Sequence, residues 1–224
     1  MNLTLFDLDG TLIETDSDHA FGDYLVREGW VDEGEFKRRN DAFYADYQAG
    51  CLDLPAYVAF ATSAWRSRPV QEAVALRERF MREVMRPQIR PAALELVNRH
   101  RRAGDLLAIV TATNEFVTEP IAQAFAVPHL IALQLERDEH GRATGAIRGT
   151  PTFREGKIRR VQDWLSTLGH GQGREAFETI TVYSDSINDL PLLEWATHPV
   201  ATNPAPSLAT VAQERGWQVL QLFA

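Results

Sequence analysis

The chain has 224 residues, 45% of them apolar and 24% charged, and a formal net charge of -8 at pH 7. That length holds one large domain or a core with a smaller insertion, and so acidic a chain is a poor partner for the phosphate backbone of a nucleic acid. A single cysteine, Cys51, excludes an intramolecular disulfide framework, and no apolar run reaches the length of a membrane span or a signal peptide, so the cytoplasm is the default location.

Residues 3–8, LTLFDL, read as a short buried strand closed by a turn at Gly10-Thr11. Asp7 and Asp9 sit where this apolar run ends, and a buried carboxylate is costly unless something pairs with it. Either the two acids face solvent at the strand end or they hold a cation. From Asp16 to Arg86 the pattern is helical and rich in aromatics, with Gly29, Gly50 and Pro55 as punctuation and Pro69 placed to start the last helix. The aromatics there (Phe21, Tyr24, Trp30, Phe43, Tyr44, Tyr47) read chiefly as packing between helices. Cys51, in QAGCLDLP, has no basic neighbour in sequence and reads as structural.

After Pro87 and Pro91 helices and strands alternate. PAALELVNRHRRAG is a helix closed by Gly104, and LLAIV a strand apolar enough to be covered on both faces. VTEPIAQAFA is a helix, LIALQLERD a strand and DEHGRATG a turn or hairpin. GKIRRVQDWLSTLG is an amphipathic helix with Ile158, Val161, Trp164, Leu165 and Leu168 on one face. TITVYSD is a strand, DLPLLEWA a short helix, 198–202 a further strand, SLATVAQERG a helix and WQVLQLF a terminal strand. One strand, a helical interruption and then a regular alternation imply an α/β core with a mostly parallel sheet flanked by helices, and an inserted all-α domain.

In such sheets ligands lie beyond the carboxyl ends of the strands. Three polar groups fall there: Asp7-Leu8-Asp9, Thr111-Ala112-Thr113-Asn114 after LLAIV, and Asp185-Ser186-Ile187-Asn188-Asp189 after TITVY. Lys157, near the start of a helix, is a fourth candidate. Clustered acids without a His or Cys cluster suit Mg²⁺ rather than zinc. An aspartate is a competent nucleophile toward phosphorus, and Lys157 and the Thr111 hydroxyl are suited to gripping phosphate oxygens. Plainer readings stand beside these. Thr113 or Asn114 suits a helix cap, Asp185 and Asn188 suit caps or turns, and a helix lysine is ordinarily solvated.

The four motifs, in this order, resemble those of the haloacid-dehalogenase-like phosphohydrolases, and in particular their phosphoserine-phosphatase-like branch with a helical cap. The resemblance implies a Rossmann-like core over residues 1–14 and 88–224 and a helical cap over 15–87. It implies that Asp7 is the nucleophile that forms an aspartyl phosphate and Asp9 the general acid and base. Mg²⁺ would be held by Asp7, the Asp9 backbone carbonyl and Asp185, with Asp189 supporting its shell. Thr111 and Lys157 would bind the phosphoryl group and Asn188 would orient it. Retention of Asp9 favours phosphoryl transfer over dehalogenation.

The cap would choose the substrate. Asp16 and Asp18 stand near the place of a glutamate that reads the substrate amine in phosphoserine phosphatases, with a shorter reach. Arg66 and Arg68 are the candidates, by sequence proximity, for reading a carboxylate. The Gly-Gly that follows the second-motif serine in those enzymes is replaced by Ala112-Thr113, and the family's frequent Gly by Ser186. The expected substrate is a small phosphorylated metabolite, with phosphoserine and histidinol phosphate as candidates, acted on by a monomer or homodimer without nucleic-acid or membrane partners. The alternatives are a phosphomutase acting on a sugar phosphate and a non-catalytic protein that binds a phosphometabolite.

Overall fold

The computed structural model describes residues 1–170 and 173–223. Among them, six parallel strands form one sheet in the order β3-β2-β1-β6-β7-β8: β1 (Asn2–Phe6), β2 (Leu106–Asn114), β3 (His129–Leu133), β6 (Thr179–Ser184), β7 (His198–Thr202) and β8 (Gln218–Leu220). A central parallel strand is covered on both faces, so it is buried throughout, and in LTLF the one polar side chain, Thr4, donates its hydroxyl to Asp105. Its residues alternate between two cores, as the two-residue period of a strand requires. Leu3 and Leu5 join one cluster with α7 (Glu155–Thr167), α8 (Leu190–Trp195) and α9 (Pro206–Arg215). Phe6 joins the other with α5 (Pro91–Ala103) and α6 (Glu115–Ala124).

Between β1 and α5 the chain forms four helices: α1 (Ser17–Arg27), α2 (Glu33–Gln48), α3 (Leu54–Arg66) and α4 (Val70–Phe80). Asp16, Asp32 and Asp53 cap the first three through their carboxylates, which fixes where each begins. The inserted helices share their apolar interior with the core. Phe21, Trp65, Phe80 and Met85 belong to the same buried cluster as Phe6, Ile109 and Phe116. No helix among the described residues is long and apolar enough to cross a membrane.

Three details differ from the expected elements. The segment LIALQLERD is two strands, since after Leu133 the chain leaves the sheet and β4 (Leu135–Arg137) pairs antiparallel with β5 (Ala143–Ile147). Glu115 draws it away, accepting the Leu135 amide at 2.9 Å and Arg137 at 3.0 Å. The helix expected to continue through Met85 widens into a π turn over Met81–Met85. The terminal strand shortens to Gln218–Leu220, because Asn203 Oδ1 takes the amides of Leu222 and Phe223 that would have extended it. Pro120 falls inside α6. A proline leaves the carbonyl four residues earlier without its helical donor, and Arg77 Nη1 approaches that carbonyl, of Phe116, at 3.4 Å.

Candidate active site

β1 ends at Phe6, so Asp7 is the first residue beyond the sheet. Its amide donates to the Tyr183 carbonyl at 2.9 Å, and Phe6 stacks on the Tyr183 ring behind it (centroids 5.2 Å apart). The chain then turns through Gly10, whose φ of +73° suits glycine. A Cβ on Gly10 would lie 2.3 Å from Asp185 Oδ2, so the glycine lets the first and last acidic motifs touch. Thr11 completes this junction. Its hydroxyl donates to Asp185 Oδ1 at 3.0 Å and accepts the Asp185 amide at 3.0 Å. Asn203, at φ +45°, holds the turn from outside by donating to the carbonyls of Gly10 and Thr11 at 2.9 and 3.3 Å.

Lys157 is not a solvated helix residue. It is 1% exposed, and its ammonium donates to Asp7 Oδ1 at 2.8 Å and Asp189 Oδ2 at 2.6 Å. Ser184 supports Asp189 with a further bond of 2.8 Å. Asp9 turns the other way and accepts from the Ser17 amide and the Thr113 hydroxyl, each at 2.8 Å. Of the two residues offered as caps, Asn114 caps α6 through the Val117 amide, while Thr113 belongs with Asp9. Thr111 is buried at the end of β2 and accepts the Thr113 amide. The last motif folds on itself, with Ser186 accepting the Asn188 amide at 3.2 Å. The Asn188 side-chain amide reaches across to the inserted helices and donates to the Tyr47 carbonyl at 3.1 Å.

Burial dominates the electrostatics. It raises Asp7 and Asp9 to about 7; Lys157 partly offsets it for Asp7, and the neighbouring charge of Asp16 adds to it for Asp9. Asp185 is pushed well above the usual carboxylate range by burial and by the charges of Asp7 and Asp189. Lys157 is held charged by Asp189 and Asp7 against the opposing effect of its own burial. Asp7 and Asp189 thus share one ammonium, while Asp9 and Asp185 bond neutral donors, so the carboxylates at these strand ends outnumber the cation among them. The surplus negative charge and the all-oxygen donor set fit a hard divalent cation. Separately, His19, Asp23 and Asp41 bring potential ligand atoms within 4.8 Å of one another between α1 and α2. Lys37 already lies 3.3 Å from Asp23 and 3.1 Å from Asp41 there.

Asp7, Asp9 and Thr111 open into a narrow cavity roofed by the inserted helices. Asp16 and Asp18 line it. Asp16 accepts from the amides of Asp18 and His19 as the cap of α1, and burial raises it to about 6. Asp18 accepts from Asn114 Nδ2 at 3.2 Å and faces the Tyr57 phenol, and burial raises it to about 7. Neither has an ammonium or guanidinium among its bonded partners. The arginines weighed as carboxylate readers sit elsewhere. Arg66 donates to the Thr144 carbonyl in the β4–β5 hairpin, and Arg68 lies over the Trp30 ring.

Three aromatics first read as packing, Phe43, Tyr44 and Tyr47, line the cavity with Tyr57. Burial, followed by the charges of Asp7, Asp189 and Asp185, pushes the Tyr47 phenol well above its ordinary value. Tyr57, Asn40 and Phe153 also line the cavity and carry no motif that would have marked them in the sequence.

The family model for haloacid dehalogenase-like hydrolases matches residues 4–194. A histidinol-phosphatase of Neisseria meningitidis is 42% identical over 219 residues, covering 98% of each chain. A crystal structure of a Bordetella pertussis protein of unknown function superimposes with a TM-score of 0.92 at 47% identity, covering 99% of both chains. A substrate-bound phosphoserine phosphatase superimposes at 0.68 over 97% of this chain and 91% of its own, with 14% identity, a likeness of fold alone.

Proposed function

Because the chain belongs to the haloacid dehalogenase-like hydrolase family, an enzyme family of phosphatases, we propose that it hydrolyses a small phosphomonoester at Asp7 with the help of Mg²⁺, and that this ester is histidinol phosphate. The observation that carries the reading is the setting of Asp7. It stands at the mouth of the central strand, one oxygen held by buried Lys157, and opens into a roofed cavity whose far wall bears two further acids. Asp7 is the nucleophile; its attack on phosphorus forms an aspartyl phosphate and expels the alcohol. Asp9, raised by burial to about 7, is protonated in a large share of molecules at neutral pH; it gives that proton to the leaving oxygen and then takes one from the attacking water. Lys157 and Thr111 bind phosphoryl oxygens. Asp7, Asp185 and the Asp9 carbonyl are the ligands of Mg²⁺, and Asp189 supports them. The ion supplies charge neutralisation between a carboxylate and an incoming phosphate.

Residues 15–87 act as the cap that selects the leaving group and excludes water. Asp18 is a buried carboxylate and Asp16 a partly buried one, both with dipolar partners, so a cationic substrate relieves them. The ammonium of histidinol phosphate meets that need, and the rings of Phe43, Tyr44 and Tyr57 offer flat apolar surface to its imidazole. The full-length likeness to the Neisseria histidinol-phosphatase supports the same choice.

The test is Mg²⁺-dependent phosphate release from a panel of histidinol phosphate, phosphoserine, glycerol phosphate and sugar phosphates, with product analysis. Histidinol phosphate is expected to be preferred, and Asp7→Asn to reduce release to background while circular dichroism stays native. Preference for phosphoserine would remove the substrate assignment. Near-normal release by the Asp7 variant would remove the mechanism.

A further inference from the structure

Three tyrosines from the inserted helices line the cavity. Tyr57 faces Asp18, and Tyr44 faces Gln48 while its ring stacks on His19 with centroids 4.7 Å apart. The third, Tyr47, has no hydrogen-bond partner for its phenol among the described residues. Its place is nevertheless well determined. Its carbonyl accepts from Asn188 Nδ2 at 3.1 Å, and its ring rests against Phe153 with centroids 6.3 Å apart. Three residues on, the Gly50 carbonyl accepts from Arg154. Two core side chains thus grip the end of α2, and a hydroxyl from that end projects among the acids of the site.

Tyr47 also stands on a boundary. On one side is the cavity over Asp7 and Thr111, and on the other a wider cleft lined by Asp185, Ser186 and Asn203. Tyr47 lines both. A phosphoryl group seated on Asp7 beside Asp185 has this boundary as its roof. Tyr47 is only partly buried there, so its phenol is open to solvent or to a ligand. A phosphoryl oxygen is an acceptor, so it can receive the hydrogen bond that this phenol has to donate.

We propose that Tyr47 is a catalytic residue contributed by the cap, its phenol donating a hydrogen bond to an oxygen of the transferring phosphoryl group, and that Asn188 and Arg154 are positioning residues that hold it there. This rests on the reading of Asp7 as the phosphoryl acceptor. No proton moves to or from the phenol. It lends a dipole to negative charge that Lys157 and Thr111 meet from the core side, and arrives only when the cap is seated. The Asn188 amide, first read as a phosphate ligand, is assigned instead to seating the cap.

The experiment compares the full-length wild type with Tyr47→Phe, which keeps the ring on Phe153 and the backbone contact to Asn188. Two quantities are read: steady-state kinetics with p-nitrophenyl phosphate, and binding of orthovanadate, a phosphoryl mimic, in the presence of Mg²⁺. Loss of one hydrogen bond to an anion is expected to lower kcat and weaken vanadate binding by about tenfold each. Arg154→Ala, which leaves the phenol intact but loosens its support, is expected to weaken vanadate binding less than Tyr47→Phe. Unchanged kcat and vanadate affinity in Tyr47→Phe would overturn the proposal, because packing alone survives that change. A wild type that binds vanadate but releases no phosphate would sink the hydrolase reading, and the vanadate comparison would still decide the contact. A wild type that binds no vanadate would overturn both.

Discussion

Asp18, proposed above to read the substrate's cation, sets that role against stability at a single side chain. Its ordinary value is 3.8, and burial in the folded protein raises it to about 7. Between those values the native state binds a proton that the unfolded chain has released, so its contribution to stability falls as pH rises through that window and is fully present below it. Asp18→Asn keeps an oxygen for Asn114 Nδ2 and discards the charge. It is expected to be more stable than wild type at pH 8 by about 1–2 kcal/mol, the range that relaxing a functional site commonly yields, and to lose that advantage by pH 4. Denaturant melts at the two pH values test this, and an advantage that grows on acidification would refute it. If Asp18 reads a cation, the same variant raises KM for histidinol phosphate by about tenfold. Residue type and spacing made Asp7, Asp9 and Asp185 stand out in the sequence. Lys157 drew attention through a family pattern, since a lysine in EGKIRR otherwise looks solvated; its burial follows from the approach of α7 to β1, which local sequence does not encode.

At the scale of elements, the β4–β5 hairpin deserves comparison with the strand it was expected to extend. It leaves the sheet and packs on α3, where Arg66 donates to the Thr144 carbonyl at 2.9 Å. Gly145 makes this possible twice over. Its φ is +95°, and a Cβ there would lie 1.6 Å from Arg66 Nη1. Gly145→Ala is expected to cost about 1–3 kcal/mol, from backbone strain and displacement of the guanidinium, and to loosen the cap's attachment on this side. Urea unfolding measures the cost; an unchanged midpoint would show that the hairpin is free to shift. The helices of the insertion were legible from their helical apolar pattern and its punctuation, with aspartate caps opening the first three and Pro69 the fourth. The hairpin was not, because LIALQLERD is a plausible strand on its own terms, and its break at Leu133 depends on Glu115 from another element.

Across the whole molecule, core and cap are two regions of one chain with a common interior. Phe21 packs edge-on to Phe80 and Phe116, and Trp65 stacks on Phe116 with centroids 4.3 Å apart, so rings of the insertion meet a ring of the core. Opening the cap widely would expose these faces at a cost set by their apolar area. Calorimetry is therefore expected to show one cooperative transition, with equal calorimetric and van't Hoff enthalpies. A separate low-temperature transition would mean that the insertion melts independently. At the α2 end the two regions are joined by polar contacts instead, from Asn188 to the Tyr47 carbonyl and from Arg154 to the Gly50 carbonyl.

The α/β class and its all-α insertion were written in local patterns: a two-residue period for buried strands, a helical period with caps for the insertion, and polar groups at strand ends. Those signals are short-range, so they survive without knowledge of the partner. Which acids share a lysine, which tyrosine stands between the cavity and the cleft beside it, and that Arg66 serves a hairpin while Asp18 faces the cavity were decided only when distant segments met. Side chains at positions 7, 157 and 189 are bonded in the fold and far apart along the chain. Charge, burial and hydrogen bonding are properties of that meeting, and no window of sequence contains them.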